Sequence, residues 1–191
     1  MLRSFSLFSR ELLANPRNIG AACPSSPALA GRIAKTVRSN NGSYVIEVGA
    51  GTGSITAALL KRSVAADRLI VLEQSPSMVR MLRSRFPHVN IVQGDAGNLD
   101  RILEDELNVS TDQVSHVVSS LPLKSIPERH ARKIANVIQD LMQHGSKLVQ
   151  YTYDLRGGSK NWYTRLGHVH SSFVWLNLPP ARVDLFTATR S

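Results

Sequence analysis

The 191-residue chain has one cysteine, Cys23, and no apolar run of the roughly 18 residues that would predict a membrane-spanning helix. A single cysteine excludes an intramolecular disulfide and a cysteine-based metal cluster. Because disulfides are rare in reducing compartments, this composition favours a cytoplasmic protein. Ser, Arg and Glu interrupt the apolar residues at the N-terminus, unlike the apolar core of a secretory signal peptide.

Acidic side chains are also few: 14 Asp and Glu stand against 23 Lys and Arg, giving a net charge of +9. This excess predicts a negatively charged partner, either nucleic acid or an anionic membrane surface, although an ordinary basic surface explains it as well. Of the six histidines, His168 and His170 are the closest pair in sequence, and without a third ligand they predict no metal site. The length is that of one domain, so we expect a single unit over 1–191.

A glycine-rich loop follows the first predicted strand. Residues 47–53 read Glu-Val-Gly-Ala-Gly-Thr-Gly, between a strand expected near 44–49 and a helix expected near 54–62. Alternate glycines allow a sharp turn and close approach to a ligand, and the helix start offers unpaired N–H groups. The dinucleotide fingerprint G-x-G-x-x-G does not fit, because Thr56 occupies the place of its third glycine. The spacing instead resembles motif I of S-adenosylmethionine (SAM)-dependent methyltransferases.

Two further strand ends carry carboxylates that suit the same nucleoside. A strand near 68–73 ends in Glu73, about 20 residues past the loop, where a ribose diol needs an acceptor. A strand near 89–93 is followed by Asp95, which resembles the methyltransferase residue that accepts a hydrogen bond from the adenine amino group. Three strand ends thus agree on one cofactor, against the plainer interpretation of an α/β domain with acidic, glycine-rich loops.

The predicted cofactor site also includes the fourth strand end and a Ser-Ser turn ahead of the first strand. That turn could lie over the cofactor, but simple helix capping by Ser26 before Pro27 explains it as well. The full set predicted to bind SAM, and S-adenosyl-L-homocysteine as product, is Ser25, Ser26, Glu47, Gly49, Ala50, Gly51, Gly53, Glu73, Gln74, Gly94, Asp95, Ala96, Ser119, Ser120 and Leu121.

Strands and helices are predicted in alternation after residue 43, which indicates a parallel sheet covered on both faces. The remaining parallel strands are expected near 115–120 and 146–153, and the remaining helices near 76–85, 97–107 and 127–143. Two short strands at 172–178 and 181–187 around Pro179-Pro180 predict a terminal antiparallel hairpin. The polar linker 154–171 between is expected on the surface near the site.

Residues 1–14 predict an amphipathic helix. One broad face gathers apolar side chains, and arginines lie beyond one edge of it. Such a helix is typical of an interfacial membrane contact, whereas packing on the protein's own core is the equally simple alternative. The apolar face consists of Leu2, Phe5, Phe8, Leu12 and Leu13. Residues 1–38 are therefore expected to form an N-terminal helical extension, a candidate membrane-contacting lid, and 43–191 the catalytic core.

Five segments together resemble the bacterial phospholipid N-methyltransferases, which convert phosphatidylethanolamine stepwise to phosphatidylcholine. These segments are the stretch Asn-Pro-Arg-Asn-Ile-Gly-Ala-Ala-Cys-Pro-Ser-Ser at 15–26, the loop at 47–53, Ser-Ser-Leu-Pro-Leu at 119–123, Val-Gln-Tyr-Thr-Tyr at 149–153 and Val-Trp-Leu-Asn-Leu-Pro-Pro-Ala at 174–181. The resemblance implies a Rossmann-like class I SAM-dependent methyltransferase fold, with a seven-stranded, mostly parallel sheet. It also implies a phospholipid substrate and peripheral association with the inner face of the cell membrane.

This family is similar to the rRNA adenine dimethyltransferases, which supply the main rival function. Base N-methyltransferases commonly carry Asn-Leu-Pro-Tyr at the fourth strand end, where the ring stacks on a flipped base. Here Ser120 replaces the amide and Leu123 replaces the ring, which disfavours a nucleic-acid substrate. A different amine lipid, such as an ornithine lipid, stays open as the acceptor. A third possibility is a cofactor-fold protein that only binds nucleic acid or membrane.

Tyrosines on the fifth strand are the candidate catalytic residues. Tyr151 and Tyr153 are two positions apart, so they share a face, and aromatic faces attract the quaternary ammonium that repeated methylation produces. Packing in the core is the alternative role for both. Other aromatic candidates are Trp162, Tyr163 and Trp175. Candidates for holding a lipid phosphate, or else solvated surface charges, are Arg17, Lys124, Arg156 and Lys160.

Overall fold

A computed structural model describes residues 25–38, 42–142, 145–157 and 159–189. Within these ranges, the helices of eight or more residues are α1 (Pro27–Thr36), α2 (Ser54–Lys61), α3 (Pro76–Arg85) and α4 (Glu128–Leu141). The strands are β1 (Tyr44–Val48), β2 (Leu69–Glu73), β3 (Asn90–Gln93), β4 (Val114–Ser119), β5 (Lys147–Thr152), β6 (Leu166–Val174) and β7 (Ala181–Ala188).

The seven strands form one sheet in the order β3-β2-β1-β4-β5-β7-β6. The first five strands pair in parallel, whereas β7 pairs antiparallel with both β5 and β6. The predicted seven-stranded, mostly parallel sheet with a terminal antiparallel hairpin is confirmed. Strand order reverses between β1 and β4, and ligands of open α/β sheets bind beyond the carboxyl ends of the strands at such a point.

The sheet is covered on both faces, which explains the continuous apolar runs of its parallel strands. Neighbouring residues Val45 and Ile46 belong to opposite core clusters. One cluster packs against α1, α2 and α3 through side chains such as Ile33 and Leu82, and the other packs against α4 through Ile138. Packing on both faces of the sheet therefore fixes the positions of the strand ends, as a site at the carboxyl edge requires.

Helix starts follow the predicted capping chemistry. The Ser26 hydroxyl accepts a hydrogen bond from the Leu29 N–H, with Pro27 in the first turn of α1. Ser75 caps α3 in the same way ahead of Pro76. The predicted helix over 1–14 lies outside the described residues. Within the described part of the chain, no helix is long and apolar enough to cross a membrane.

Two sequence-based boundaries are wrong. The strand predicted at 172–178 is instead β6, Leu166–Val174, and residues 175–180 form the turn before β7. Because β7 continues to Ala188, backbone pairing extends β6 back to Leu166, its partner in register; the last part of the predicted surface linker is therefore a strand. The helix predicted at 97–107 is broken into a 3-10 turn, one short α-helical turn and a π-helical segment, Ile102–Glu106.

Candidate functional site

A cleft of about 460 Å³ lies at the carboxyl edge of the sheet, where the strand order reverses. Side chains and backbone from the ends of β1, β2, β3 and β4 line it, together with the start of α4. Nine of the fifteen predicted cofactor residues line this cleft: Gly49, Gly51, Glu73, Gln74, Gly94, Asp95, Ala96, Ser120 and Leu121. The sequence motifs from four separate strand ends are thus brought together around one space.

The glycine loop forms the floor of this cleft. Gly49 and Gly51 have φ angles of +79° and +53°, which L side chains rarely adopt. A Cβ on Gly49 would lie 2.7 Å from the Leu121 side chain, whereas a Cβ on Gly51 would meet no atom within 4 Å. The positive φ angles therefore favour glycine at both positions, and Gly51 also leaves open space where a ligand can approach the backbone.

Glu73 supports the loop from the end of β2. One carboxylate oxygen accepts a hydrogen bond from the Gly51 N–H at 2.9 Å, and the other accepts one from the Ser75 N–H at 3.0 Å. A carboxylate has about four acceptor sites, so acceptor capacity remains for a diol in the cleft. Glu73 is consequently placed both to shape the loop and to receive a ligand hydroxyl.

Asp95 lies on the opposite wall, directly after β3. Its Oδ1 accepts a hydrogen bond from the Gly97 N–H at 2.8 Å and lies 3.1 Å from Nε2 of His130 on α4. The turn after β3 and the first turn of α4 are joined by this contact. His130 and the neighbouring Ile134 also line the cleft, and neither was among the predicted site residues.

Glu47 lies behind the glycine loop and not in the lining of the cleft. It is fully buried, and its Oε2 accepts a hydrogen bond from the Thr56 hydroxyl at 2.7 Å, while Oε1 has no partner. Burial raises the pKa of the Glu47 carboxyl to about 7, against the Thr56 hydrogen bond and with a smaller contribution from Glu73. The motif's acid therefore connects β1 to α2 beneath the loop.

Structural roles are visible for most of the predicted cofactor residues outside the lining. Ser26, next to Ser25, caps α1, and the Ala50 carbonyl accepts a hydrogen bond from Gly53. A Cβ on Gly53 would lie 2.6 Å from the Phe86 ring, so this glycine is required where α2 packs on α3. Ser119 is fully buried at the end of β4. The residues in this group are Ser25, Ser26, Glu47, Ala50, Gly53 and Ser119.

A second, smaller pocket of about 160 Å³ adjoins the cleft. Both spaces are lined by residues 120–122 and by Ser125, so they meet at the end of β4. Tyr151, Tyr153 and Trp162 give the second pocket an aromatic wall. The two tyrosine rings pack edge to face, with centroids 5.7 Å apart. The structure therefore places the predicted catalytic tyrosines together, beside the cleft and within one pocket.

Hydrogen bonds organise the junction of the two pockets. The Gln150 amide donates to the carbonyl oxygens of Leu121 at 3.2 Å and Tyr151 at 2.8 Å, and its own oxygen accepts from the Tyr163 hydroxyl at 2.8 Å. Burial raises the pKa of the Tyr163 phenol, although a hydrogen bond with Ser119 opposes the shift. Gln150 was missed as a site residue; its one signal is a polar side chain inside an apolar strand.

Ser120 differs from its neighbours because its buried hydroxyl has no hydrogen-bond partner within the described structure. It lines both pockets. A buried polar group without a partner costs free energy, so such a group in a native fold calls for an explanation. A ligand that spans the two pockets would supply the missing partner.

Charged side chains lie around the mouth of the second pocket. Lys124 forms an ion pair with Asp154, and this hydrogen bond lowers the pKa of the Asp154 carboxyl. Arg156 and Lys160 are exposed on the segment that follows. These three basic residues were predicted candidates for holding a lipid phosphate, and the fourth, Arg17, lies outside the described residues.

The first cleft fits a nucleoside with a charged amino-acid tail. Glu73 and Asp95 offer carboxylate oxygens on two walls, Gly51 leaves the backbone open, and Met78 and Ile134 add apolar surface for a flat ring. The unpartnered Ser120 hydroxyl points to a ligand at the junction of the two pockets. These observations fit SAM, because its ribose hydroxyls and its adenine amino group need hydrogen-bond acceptors.

Comparison with known proteins agrees with this geometry. The family described as "Methyltransferase domain" matches residues 45–145. An ornithine lipid N-methyltransferase of Singulisphaera acidiphila is 32% identical over 184 residues, which cover 94% of both chains. A probable ribosomal RNA small subunit methyltransferase A of Methanosarcina barkeri is 31% identical over 112 residues, which cover 58% of this chain but 33% of that protein.

Solved structures share the fold. TrmN from Thermus thermophilus superposes with a TM-score of 0.67 at 16% identity, covering 85% of this chain and 49% of its own. The N-methyltransferase NodS from Bradyrhizobium japonicum, solved with S-adenosyl-L-homocysteine, gives a TM-score of 0.61 at 16% identity and covers 86% of both chains.

Proposed function

Because the chain belongs to the methyltransferase family and is a SAM-dependent N-methyltransferase, we propose that it methylates the headgroup amine of a membrane lipid. The observation that carries this proposal is the aromatic pocket beside the cofactor cleft, which meets it at Ser120–Pro122. An amine in the second pocket would face a methyl donor in the first. The relative whose match covers 94% of both chains is named an ornithine lipid N-methyltransferase, which supports the same substrate class.

The pocket offers the groups that orient an amine. SAM, when bound, supplies a methyl group activated by its sulfonium. The Ser120 hydroxyl can accept a hydrogen bond from an amine N–H and so orient the nitrogen lone pair toward the cleft, whereas the Leu121 carbonyl already accepts from the Gln150 amide and the Leu123 N–H. Such positioning is the main contribution of the protein when the transferred group is already reactive.

The amine must lose a proton before it attacks, because an ammonium has no lone pair. A Tyr hydroxyl or an ordered water at the pocket wall can accept that proton while it releases its own to solvent, which relays the proton out of the pocket. Each added methyl group makes the headgroup a larger, softer cation, and the faces of Tyr151, Tyr153 and Trp162 stabilise such cations. Asp154, whose pKa is lowered by its hydrogen bond with Lys124, stays anionic within that ion pair at the pocket mouth.

Two headgroups satisfy this chemistry. Phosphatidylethanolamine is supported by the motif resemblance over nearly the whole chain, and ornithine lipid by the relative at 32% identity. Both carry one amine and one anionic group, so Lys124, Arg156 and Lys160 suit either as partners of the anion. We propose an amine lipid as the substrate class and phosphatidylethanolamine and ornithine lipid as its candidate members.

An rRNA adenine is the alternative acceptor, and several partial relatives are named ribosomal RNA small subunit methyltransferase A. This chain covers 33% or less of those proteins. The fourth strand end also offers Leu123, not an aromatic ring, where a flipped base would stack. Both observations weigh against nucleic acid.

The test uses labelled SAM with three acceptors in parallel: phosphatidylethanolamine vesicles, ornithine lipid vesicles and rRNA. Label is expected in the organic phase with at least one amine lipid. Vesicles of phosphatidylcholine alone, which have no free amine, serve as the control. Label that appears only with rRNA, or equally with a soluble amine when vesicles are omitted, would overturn the lipid assignment.

A further inference from the structure

The turn between β6 and β7 exposes large apolar side chains. We call residues 173–178, which are the last two residues of β6 and the first four of the turn after it, the apolar turn. Trp175, Leu176 and Leu178 are 68%, 87% and 84% exposed, and Phe173, 41% exposed, stacks on Trp175 with ring centroids 5.9 Å apart. Single exposed apolar residues are ordinary, but a contiguous group of them marks an interaction surface. Apart from Val169, the exposed large apolar residues of the described chain all lie in this turn.

A buried anchor holds the turn in this outward arrangement. Asn177, between the two exposed leucines, is only 2% exposed. Its side-chain oxygen accepts a hydrogen bond from the Ser26 N–H at 3.0 Å, and its amide donates to the Pro179 carbonyl at 2.7 Å. The polar Asn177 side chain therefore faces the protein, while the apolar side chains on either side of it face solvent. This is the opposite of the usual arrangement in an exposed turn.

The turn leaves the sheet at the same edge as the two pockets. Val174 pairs with Ala181 at the end of the hairpin, and Arg182 pairs with Thr152 in the aromatic pocket wall. Arg182 also donates a hydrogen bond to the Leu155 carbonyl and lies over the Phe173 ring at 6.0 Å. The segment after β5, the pocket mouth and the apolar turn are thus joined into one surface.

Basic side chains accompany this surface. Lys124 lies at the mouth of the second pocket, and Arg156 and Lys160 are exposed on the segment that Arg182 holds. The whole chain carries a net charge of +9. Tryptophan and leucine with nearby Lys and Arg are the combination that binds the interface of an anionic bilayer.

We propose that the apolar turn inserts into the interfacial layer of an anionic lipid membrane and so holds the mouth of the aromatic pocket at the level of the headgroups. This rests on the proposed function, because an amine lipid can then enter the pocket without leaving the bilayer. An interfacial segment buries its apolar side chains to a depth of about 5–10 Å.

The test reads insertion separately from methylation. The chain has two tryptophans, so the full-length Trp162→Phe variant leaves Trp175 as the sole probe. It is mixed with phosphatidylglycerol–phosphatidylcholine vesicles that hold no amine lipid, with and without brominated acyl chains. We expect a blue shift of the Trp175 emission and strong quenching by the brominated lipid.

Leu176→Asp tests the contribution of the turn to binding. In the same background it is expected to weaken vesicle partitioning at least threefold, while the thermal midpoint stays that of the parent. Val169→Asp makes the same change at another exposed position of β6, 56% exposed and away from the turn. This control is expected to partition like the parent.

Three results would overturn the insertion proposal. In the first, the protein binds vesicles but brominated lipid does not quench Trp175. In the second, the Leu176 and Val169 variants partition equally onto vesicles. In the third, the Trp175 emission is already blue-shifted and shielded from acrylamide without lipid. The last result would mean that residues of this chain or a second copy cover the turn. Insertion without methylation of any lipid would instead contradict the proposed function, so the two failures are distinguishable.

Discussion

The side-chain amide of Gln150 donates a hydrogen bond to the carbonyl oxygen of Leu121, 3.2 Å away. This contact fixes the end of β4 against β5 at the point where the cofactor cleft and the aromatic pocket meet. The two pockets therefore share a wall whose backbone is held by a side chain from the neighbouring strand.

Replacing Gln150 by Leu removes this hydrogen bond at similar side-chain volume. We expect kcat to fall about tenfold or more, which corresponds to about 1.4 kcal/mol, because the Leu121 carbonyl loses the donor from β5 and keeps only the Leu123 N–H. The dissociation constant for S-adenosylhomocysteine, measured by calorimetry, should change little. Tyr163→Phe is the matched control: it removes the Tyr163 hydroxyl and its bonds to Gln150 and Ser119 but keeps the Gln150–Leu121 bond, and it should cost less activity. Equal losses in the two variants would refute the orienting role of the amide.

Ser120→Ala separates a ligand contact from a structural one. The Ser120 hydroxyl is buried without a partner, so its removal should leave the free energy of unfolding unchanged or raise it by up to about 1 kcal/mol. Activity should nevertheless fall several-fold, because our proposal places this hydroxyl against the bound ligands. Chemical denaturation and steady-state kinetics provide both readouts.

Ser119→Ala is the neighbouring control, because Ser119 hydrogen-bonds within the protein. It should reduce stability by about 1 kcal/mol. Full activity in Ser120→Ala would show that the Ser120 hydroxyl does not contact a ligand.

Glu73 is expected to serve both the loop and the cofactor. Glu73→Ala removes the acceptor of the Gly51 and Ser75 N–H groups, so we expect at least about a tenfold weaker binding of S-adenosylhomocysteine. Glu73→Gln keeps one acceptor oxygen and should fall between the Ala variant and the parent. Calorimetric titration of the three proteins gives the order, and unchanged affinity in the Ala variant would contradict the placement of the ribose.

The buried Glu47 predicts a pH dependence of stability. Its pKa is raised from 4.5 to about 7 in the fold, so the folded state retains a proton that the unfolded chain releases. Its stabilising contribution is fully present below pH 4.5, declines as pH rises and is lost above about pH 7. The shift corresponds to about 3 kcal/mol.

Glu47→Gln tests this linkage, since an amide keeps the acceptor for Thr56 and does not titrate. In denaturant unfolding without cofactor, we measure how much more stable the variant is than the parent. We expect this stability difference to be larger at pH 8 than at pH 5. An equal stability difference between variant and parent at both pH values would contradict the raised pKa of Glu47.

Buried His116 predicts a loss of stability at acidic pH. Its pKa is lowered from 6.5 to about 4, by burial and then by Lys147. The unfolded chain therefore binds a proton that the fold excludes, and stability should decline as pH falls from about 6.5 towards 4. His116→Gln should flatten this part of the stability profile in the same unfolding measurement, whereas an unchanged slope would exclude His116 as its source.

Strand ends were predictable because each is a local pattern. Glu73 and Asp95 follow short apolar runs, and parallel strands bring their carboxyl ends to one edge, so the cofactor cleft could be anticipated without coordinates. Gln150 and the apolar turn could not. The turn was predicted as a strand from its apolar residues, but its shape depends on the contact of Asn177 with Ser26, 151 positions away. Long-range side-chain contacts of this kind leave no periodic signal.

The lipid amine as methyl acceptor is the central claim, and mass spectrometry of the lipids tests it most directly. Mixed vesicles that contain phosphatidylethanolamine, ornithine lipid and phosphatidylglycerol are incubated with the full chain and SAM, then extracted. We expect one amine lipid to gain mass in steps of one methylene unit while phosphatidylglycerol, which has no amine, stays unchanged. Unmodified amine lipids, in a preparation that binds S-adenosylhomocysteine by calorimetry, would contradict the account.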